Sequence, residues 1–502
     1  MKNGKIQYAR SLAMRGPLIR RLAVCLATFA LVAAGGRVSA EPPPPGTPSG
    51  SGQPASDAPA GPGMVSLTRV APSITPYSDY RGDFFDRTTL TGDWGGARTD
   101  LYERGITFDV ILTQTYQNVA SGGVNGYDDT YTGLLDYGVT FDTGKLDLWP
   151  GGLFTFNAQT GFAANNPLAA GTVSPTNFIS EYPTPEKPDT FLMEYYWTQA
   201  LTEEVVAIVG RINATNFLDR NRFADNPRNQ FMNLAMNNSP LLGSVVSFST
   251  YGVLLSWQVT ENLTINPAIY DPNVQPGDWG SSSDRGFFAD VGVGVEFDFA
   301  WTLDEELDGA LRVDGIYVTA DKTALDNPRL LLDGLLDSLL LLGIPMETKP
   351  DSWLVNVNFE QFIWKLDKKT GRKGLESPDV TRLRSAAFDF QEPGLGVFGK
   401  FAVAPGDRNP WNLYLMGGVG GRGVIPMRPY DRVGVGAYWL KRSDDIDQAL
   451  RDLIEDEVGL EVFYNVAIVP SVQLTFDLQW INSGIRTTDD AVVFGMRLMT
   501  PF

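Results

Sequence analysis

Apolar and polar positions alternate along most of this chain from about residue 106 onward. In the stretch 471–481, Val472, Leu474, Phe476, Leu478 and Trp480 fall on one face of an extended strand, and Gln473, Thr475, Asp477 and Gln479 fall on the other. Residues 290–299 set Val291, Val293, Val295, Phe297 and Phe299 against Asp290, Gly292, Gly294, Glu296 and Asp298. Residues 352–360 set Trp353, Val355, Val357 and Phe359 against Asn356, Asn358 and Glu360. Sixteen such strands are predicted, beginning near residues 106, 131, 152, 191, 203, 247, 262, 290, 308, 352, 393, 411, 430, 458, 471 and 490. Alternation alone fits a secreted β-sandwich as well as a membrane barrel.

Connection lengths give a second test. An outer-membrane barrel keeps its turns short at the periplasmic end and its loops long outside. The connections after even-numbered strands, near 144–150, 201–202, 260–261, 301–307 and 469–470, are short, whereas 161–190, 212–246 and 320–350, after odd-numbered strands, are long. The long connection at 365–392 breaks the rule and reads as a missed pair of strands or a periplasmic insertion. In the closing stretch Val492, Phe494, Met496 and Leu498 share a face with Phe502, while Gly495, Arg497 and Met499 take the other, as the last strand of such a barrel requires. Amphipathic helices are predicted over Leu330–Gly343 and Asp444–Glu455, both in long connections.

The first forty residues carry Lys2, Lys5, Arg10, Arg15, Arg20 and Arg21 ahead of an apolar run, Leu22–Ala34, and the small-residue site Val38-Ser39-Ala40. This is the layout of a cleaved secretory signal, and the run is too short to span a bilayer. The lone Cys25 lies inside it, and the chain has no histidine. Thiolate and imidazole chemistry and the usual metal sites are thereby excluded, so neither a metal nor a cofactor is predicted. Removal of the leader leaves 33 basic against 59 acidic residues, a net charge of −26 that argues against nucleic-acid binding. The predicted organisation is a signal peptide over 1–40, a Pro/Gly-rich tether over 41–80, a turn and short helix over 81–105, and a barrel over 106–502.

The sharpest local motif is Leu90-Thr91-Gly92-Asp93-Trp94-Gly95-Gly96-Ala97-Arg98, a glycine-rich turn leading into a short helix that Gly105 ends, with a strand following at once. Asp93 as a helix cap and Trp94 as a packing anchor would explain it structurally. The motif resembles the start of the carbohydrate-selective porins of Gram-negative outer membranes, the OprB type. Gly92, Asp93, Trp94, Gly95, Gly96 and Arg98 carry the resemblance most specifically. It continues through Tyr116-Gln117-Asn118, Glu194-Tyr195-Tyr196-Trp197, Val209-Gly210-Arg211, Asn237-Asn238-Ser239-Pro240, Gly394–Pro410 and Glu461–Phe502. The resemblance implies a sugar channel without covalent chemistry.

Alternation independently predicts what faces the lumen: an acidic and amide set including Asp109, Asp136, Asp142, Glu194, Glu296, Asp298, Asn356, Asn358, Glu360, Glu461, Asn465 and Asp477, against Arg211, Lys400 and Arg497. Such groups exchange hydrogen bonds with sugar hydroxyls, and equally well solvate an unselective pore. The connection 212–246, with Asn213, Asn216, Asp219, Arg220, Arg222, Asn237 and Asn238, is the candidate constriction. The predicted sugar contacts are Glu194, Tyr196, Arg211, Asn213, Asp219, Asn237, Asn238, Glu296, Asn356, Asn358 and Arg497. The sequence thus predicts an all-β protein, a transmembrane antiparallel barrel of sixteen strands with short helices in loops and at its N-terminus. It would pass mono- or small oligosaccharides, contact outer-membrane lipid and self-associate as a homo-oligomer. The rival readings are a general or cation-preferring diffusion porin, favoured by acidic walls, and a secreted β-rich glycoside hydrolase working through paired carboxylates.

Overall fold

A computed structural model describes residues 80–124, 129–162, 170–181, 190–213, 216–247, 249–274, 286–304, 307–330, 346–366 and 393–502. The predicted leader, nearly all of the predicted tether and almost all of the leucine-rich helix and of the 365–392 connection lie outside the described residues. Sixteen strands close into one antiparallel barrel. They are β1 (Ile106–Gly123), β2 (Asp129–Asp142), β3 (Gly152–Phe162), β4 (Thr190–Ala200), β5 (Val205–Ile212), β6 (Thr250–Thr260), β7 (Leu263–Tyr270), β8 (Gly292–Leu303), β9 (Leu307–Val318), β10 (Ser352–Lys365), β11 (Gly394–Val403), β12 (Trp411–Arg422), β13 (Arg432–Arg442), β14 (Glu457–Val469), β15 (Val472–Asn482) and β16 (Asp489–Pro501). Each strand pairs with its sequence neighbours, and β1 closes on β16 with Ile111 opposite Pro501 and Asn118 opposite Phe494.

The alternation has a simple cause: one side of every strand meets an apolar medium and the other a polar interior. Phe476, Leu478 and Trp480 are exposed outward while Gln473, Thr475, Asp477 and Gln479 are buried inward. Aromatic residues gather on the outer face at both rims. Trp149, Trp257 and Trp364 stand exposed toward one end of the barrel, where the strand pairs β2–β3 and β6–β7 turn, and Tyr131, Tyr317, Trp353 and Trp480 toward the other. These are the two girdles expected where headgroups meet the hydrocarbon band.

The glycine-rich motif packs at the short-turn end. A 3₁₀ turn (Trp94–Gly96) runs into helix α1 (Ala97–Glu103). The N-cap position of the helix is Gly96, but Asp93 Oδ1 reaches over the turn and accepts from Thr99 N at 2.8 Å and Thr99 Oγ1 at 2.6 Å, so it satisfies a first-turn N–H from outside the cap position. Trp94 differs from expectation: it is 49% exposed and serves as a platform for the Arg98 guanidinium, 5.1 Å from its ring. Arg98 is the buried member. It donates to the main-chain oxygens of Phe502 and Phe108, both at 2.7 Å, and so ties β1 to the end of β16. Gly105 holds φ +90, and a Cβ there would stand 2.9 Å from the Asp142 carbonyl oxygen.

The second predicted helix is much shorter than expected. Only α3 (Gln448–Arg451) forms between β13 and β14, where Asp447 caps it by accepting from Ala449 N at 2.9 Å. The acidic residues on either side serve caps and ion pairs and do not extend the helix. A further one-turn helix, α2 (Leu234–Asn237), lies in the β5–β6 connection.

Candidate functional site: the inward-folded segments

Two connections turn into the barrel. Residues 170–181, after β3, and the described part of 213–249, after β5, are almost entirely buried. A loop removed from water cannot solvate its own amides, so each needs an acceptor from the wall. Wall carboxylates supply several of them. Glu457 accepts from Val173 N at 2.6 Å and Ser174 N at 2.9 Å. Glu461 accepts from Met232 N and from Asn233 N at 3.1 Å, and Glu360 accepts from Arg222 N at 2.6 Å.

The β5–β6 segment crosses the whole lumen. Near its start, Glu194 Oε1 on β4 accepts from Asn213 N at 3.1 Å and Asn216 Nδ2 at 2.9 Å. Asp219 then meets Lys400 of β11 at 3.2 Å and accepts from Asn356 and Asn358 of β10 at 3.2 and 3.1 Å. Lys400 Nζ also donates to the Asn237 carbonyl at 2.5 Å, and Asp219 Oδ2 accepts from Ser239 N at 2.8 Å and Asn238 Nδ2 at 3.3 Å. On the opposite wall, Arg228 reaches Asp136 of β2 through Nε at 3.0 Å and Nη2 at 2.7 Å. Arg497 of β16 donates to the carbonyls of Pro227 at 2.6 Å and Gln230 at 2.5 Å.

Apolar contacts seat the same segment against β11–β14. Inward glycines leave room for its rings: a Cβ on Gly396 would lie 2.1 Å from Phe223, one on Gly434 2.8 Å from Phe231, and one on Gly436 2.2 Å from Met236. Phe231 packs edge-on against Phe463 with ring centres 4.7 Å apart.

The structure therefore brings Glu194, Asn213, Asp219, Asn237, Asn238, Asn356, Asn358 and Arg497 to one element, where they hold the segment in place. Glu296 joins them from β8, accepting from Arg220 at 2.9 Å and Asn266 at 2.8 Å. Tyr196 lies inward in an apolar cluster with Ile208, Ile212, Phe217 and Leu254. Arg211 is the exception and corrects the inward assignment. Val206, Ile208 and Ile212 point inward, so Arg211 points out, between its cross-strand neighbours Tyr195 and Tyr251. It is only 2% exposed, because these two tyrosines flank it, their hydroxyls 2.5 Å apart, and Ser249 Oγ accepts from its Nε at 2.6 Å.

A charged cluster that retains contact with solvent lies along β8–β10. Arg220 bridges Glu296 and Asp298 at 2.9 and 3.4 Å, Arg312 bridges Asp298 and Glu360 at 3.2 and 3.0 Å, and Arg222 meets Glu360 at 3.2 Å. The side chains of Asp298 and Arg222 are 19% and 15% exposed. Arg312 and Arg228 were not singled out from sequence. Arg312 is readable as an inward position by its alternation with Leu311 and Val313, whereas nothing local marks Arg228, whose partner lies 92 residues away.

Comparison with known proteins agrees with this architecture. The family described as carbohydrate-selective porin, OprB family, matches residues 127–502. Porin B of Pseudomonas aeruginosa is 22% identical over 480 residues, covering 88% of this chain and 95% of that protein. Among solved structures, the high-pH structure of Pseudomonas putida OprB superposes with a TM-score of 0.68 at 18% identity, covering 84% of this chain and all of the other.

Proposed function

Because the chain belongs to the OprB family of carbohydrate-selective porins, an outer-membrane channel class and not an enzyme, we propose that sugar crosses it at the charged cluster of Arg220, Arg222, Arg312, Glu296, Asp298 and Glu360. The supporting observation is that guanidinium donors and carboxylate acceptors alternate along one edge of the inward-folded segment with part of their surface open to water. A hexose presents donors and acceptors around its ring, and such a ladder replaces its hydration shell one bond at a time. The bonds are short-lived because each group already has an ionic partner, so a sugar is bound without being trapped. The remaining inward-facing predicted contacts act indirectly, by fixing the segment that carries Arg220 and Arg222. The outer apolar belt with its two aromatic girdles is the surface that meets lipid.

Glucose block of single-channel current tests this reading. Asp298→Asn is expected to weaken block about tenfold, the size of one charge-assisted hydrogen bond. Arg211→Ala is expected to leave it unchanged, since that side chain points away from the lumen. A wild-type current insensitive to glucose would favour the general diffusion pore. The leader over 1–40 is part of the same proposal, and N-terminal sequencing of the outer-membrane protein is expected to begin at Glu41.

A further inference from the structure

Four polar side chains form one rung across the wall beside the charged cluster. Asn266 of β7, Glu296 of β8, Asp314 of β9 and Asn356 of β10 stand directly opposite one another in turn, and all four are buried. The amides at the two ends take the outer oxygens: Asn266 Nδ2 donates to Glu296 Oε1 and Asn356 Nδ2 to Asp314 Oδ2, both at 2.8 Å. The inner oxygens, Glu296 Oε2 and Asp314 Oδ1, are shut off from water and receive no donor. The two carboxyls are nevertheless within hydrogen-bonding reach of each other. Two ionised carboxylates facing one another in this way would repel, and each would also leave a buried acceptor unpaired. The charges around the rung are unequal as well. Among the described residues, the carboxyls here are Asp219, Glu296, Asp298, Asp314 and Glu360, and the cations are Arg220, Arg222, Arg312 and Lys400. Each of these carboxyls except Asp314 lies within 3.2 Å of one of the cations. Lys365 and Asp308, next to Arg222, pair with each other at 2.5 Å and leave the balance unchanged.

We propose that Asp314 carries a proton on Oδ1 and donates it to Glu296 Oε2, so that the pair bears a single negative charge and the path along β8–β10 is electrically balanced. Carboxyls that share a buried site resolve their repulsion by holding one proton between them. Arg220, 2.9 Å from Glu296 Oε1, favours the charge there. Asp219, which accepts from the same Asn356 amide as Asp314 does, disfavours a second charge on Asp314, and the proton therefore sits on Asp314. A metal ion between the two carboxyls would need further ligands, and among the described residues no group of three or more Asp, Glu, His or Cys side chains is arranged to hold one. The shared proton has a consequence for selectivity. An ionised pair would leave one uncompensated carboxylate in the wall and draw cations, whereas the protonated pair leaves the wall neutral overall, as suits an uncharged sugar. This inference rests on the sugar path proposed above, but its test reads charge and not sugar, so either can fail alone.

The test is the reversal potential of the full-length channel in a planar bilayer, under a potassium chloride gradient at neutral pH. Asp314→Asn puts an N–H where the proton stands and leaves Glu296 ionised, so the reversal potential is expected to keep its wild-type value. Asp298→Asn removes an ionised carboxylate from the same path and is expected to move it toward the chloride potential. A shift in Asp314→Asn as large as that in Asp298→Asn would overturn the proposal, because both carboxyls of the pair would then have been charged. Infrared spectroscopy gives a second reading that does not depend on conduction. The carbonyl band of a protonated carboxyl is expected in the wild-type protein and is expected to lose intensity in Asp314→Asn. Equal intensity in the two proteins, or no such band in the wild type, would likewise overturn the shared proton.

Discussion

Replacing Asp136 with asparagine tests whether the lumen-crossing segment is held by discrete ionic pins. In the native protein Asp136 Oδ2 accepts both Nε and Nη2 of Arg228, and Oδ1 accepts from Gln159 Nε2 at 2.9 Å. All three partners are donors. An asparagine of the same shape keeps one acceptor and turns an NH₂ group toward either the guanidinium or the Gln159 amide, so a donor–donor contact replaces a bond. Removing the charged partner of a buried pair costs about 3–5 kcal/mol. The strand itself is not at risk, because the main-chain pairing of β2 with β1 and β3 is independent of this side chain. The loss therefore falls on the seating of residues 213–249, and it shifts the seated-to-released ratio by roughly two to three and a half orders of magnitude. Single-channel recording should show greater open-channel noise and brief excursions to higher conductance, with unchanged heat-modifiable mobility on gels. Arg228→Gln combined with Asp136→Asn should recover part of the quiet state, because neither charge is then left buried. A folded Asp136→Asn channel with the conductance and noise of the wild type would refute the pin.

Two further perturbations probe other parts of the frame. Arg98→Gln removes the guanidinium bonds to Phe502 and Phe108, each worth about 1.5–3 kcal/mol, and should lower the temperature at which the barrel loses its folded gel mobility; an unchanged temperature would deny Arg98 its part in the seam. Glu181, in the inward-folded segment after β3, has its pKa pushed up to about 8 by burial, from an ordinary 4.5. The seated segment therefore retains a proton that a released one gives up, so seating weakens as pH rises from about 4.5 and the loss is complete only above about 8. Channel noise should rise between pH 6 and pH 9 in the wild type and stay flat in Glu181→Gln; parallel profiles would exclude Glu181 as the cause.

The strands were legible because the two media on either side of a barrel wall impose a period of two, which Val472 to Trp480 and Val291 to Phe299 display without interruption. The inward folding of 213–249 was legible only as a long polar connection. Its anchors pair residues 92, 181 and 267 positions apart, as in Arg228–Asp136, Lys400–Asp219 and Arg497–Gln230, and no local pattern encodes a partner at that distance. Arg211 shows the opposite failure. It was assigned to the lumen because it is a cation, whereas it shares a face with the exposed Val209, and Tyr195 and Tyr251 flanking it are what allow a guanidinium on that outer face. The inward glycines of β11–β13 weaken those strands as sequence patterns, yet Gly396, Gly434 and Gly436 are what admit Phe223, Phe231 and Met236.

The acidity of the chain is the sequence feature whose meaning changes most. A surplus of carboxylates in a pore wall would ordinarily favour cations. Here Glu194, Glu360, Glu457 and Glu461 accept main-chain N–H groups from the inward-folded segments, and Asp136 and Asp219 neutralise Arg228 and Lys400. Carboxylates committed to amides and buried cations are spent on holding irregular backbone inside a barrel, and their field is largely cancelled by the dipoles they accept from. What a solute meets is the remainder. Along β8–β10 that remainder alternates in sign, from Arg220 and Glu296 to Asp298, Arg312 and Glu360. On the proposed sugar path the exposed charge is accordingly local and of mixed sign, although the chain as a whole carries a net charge of −19.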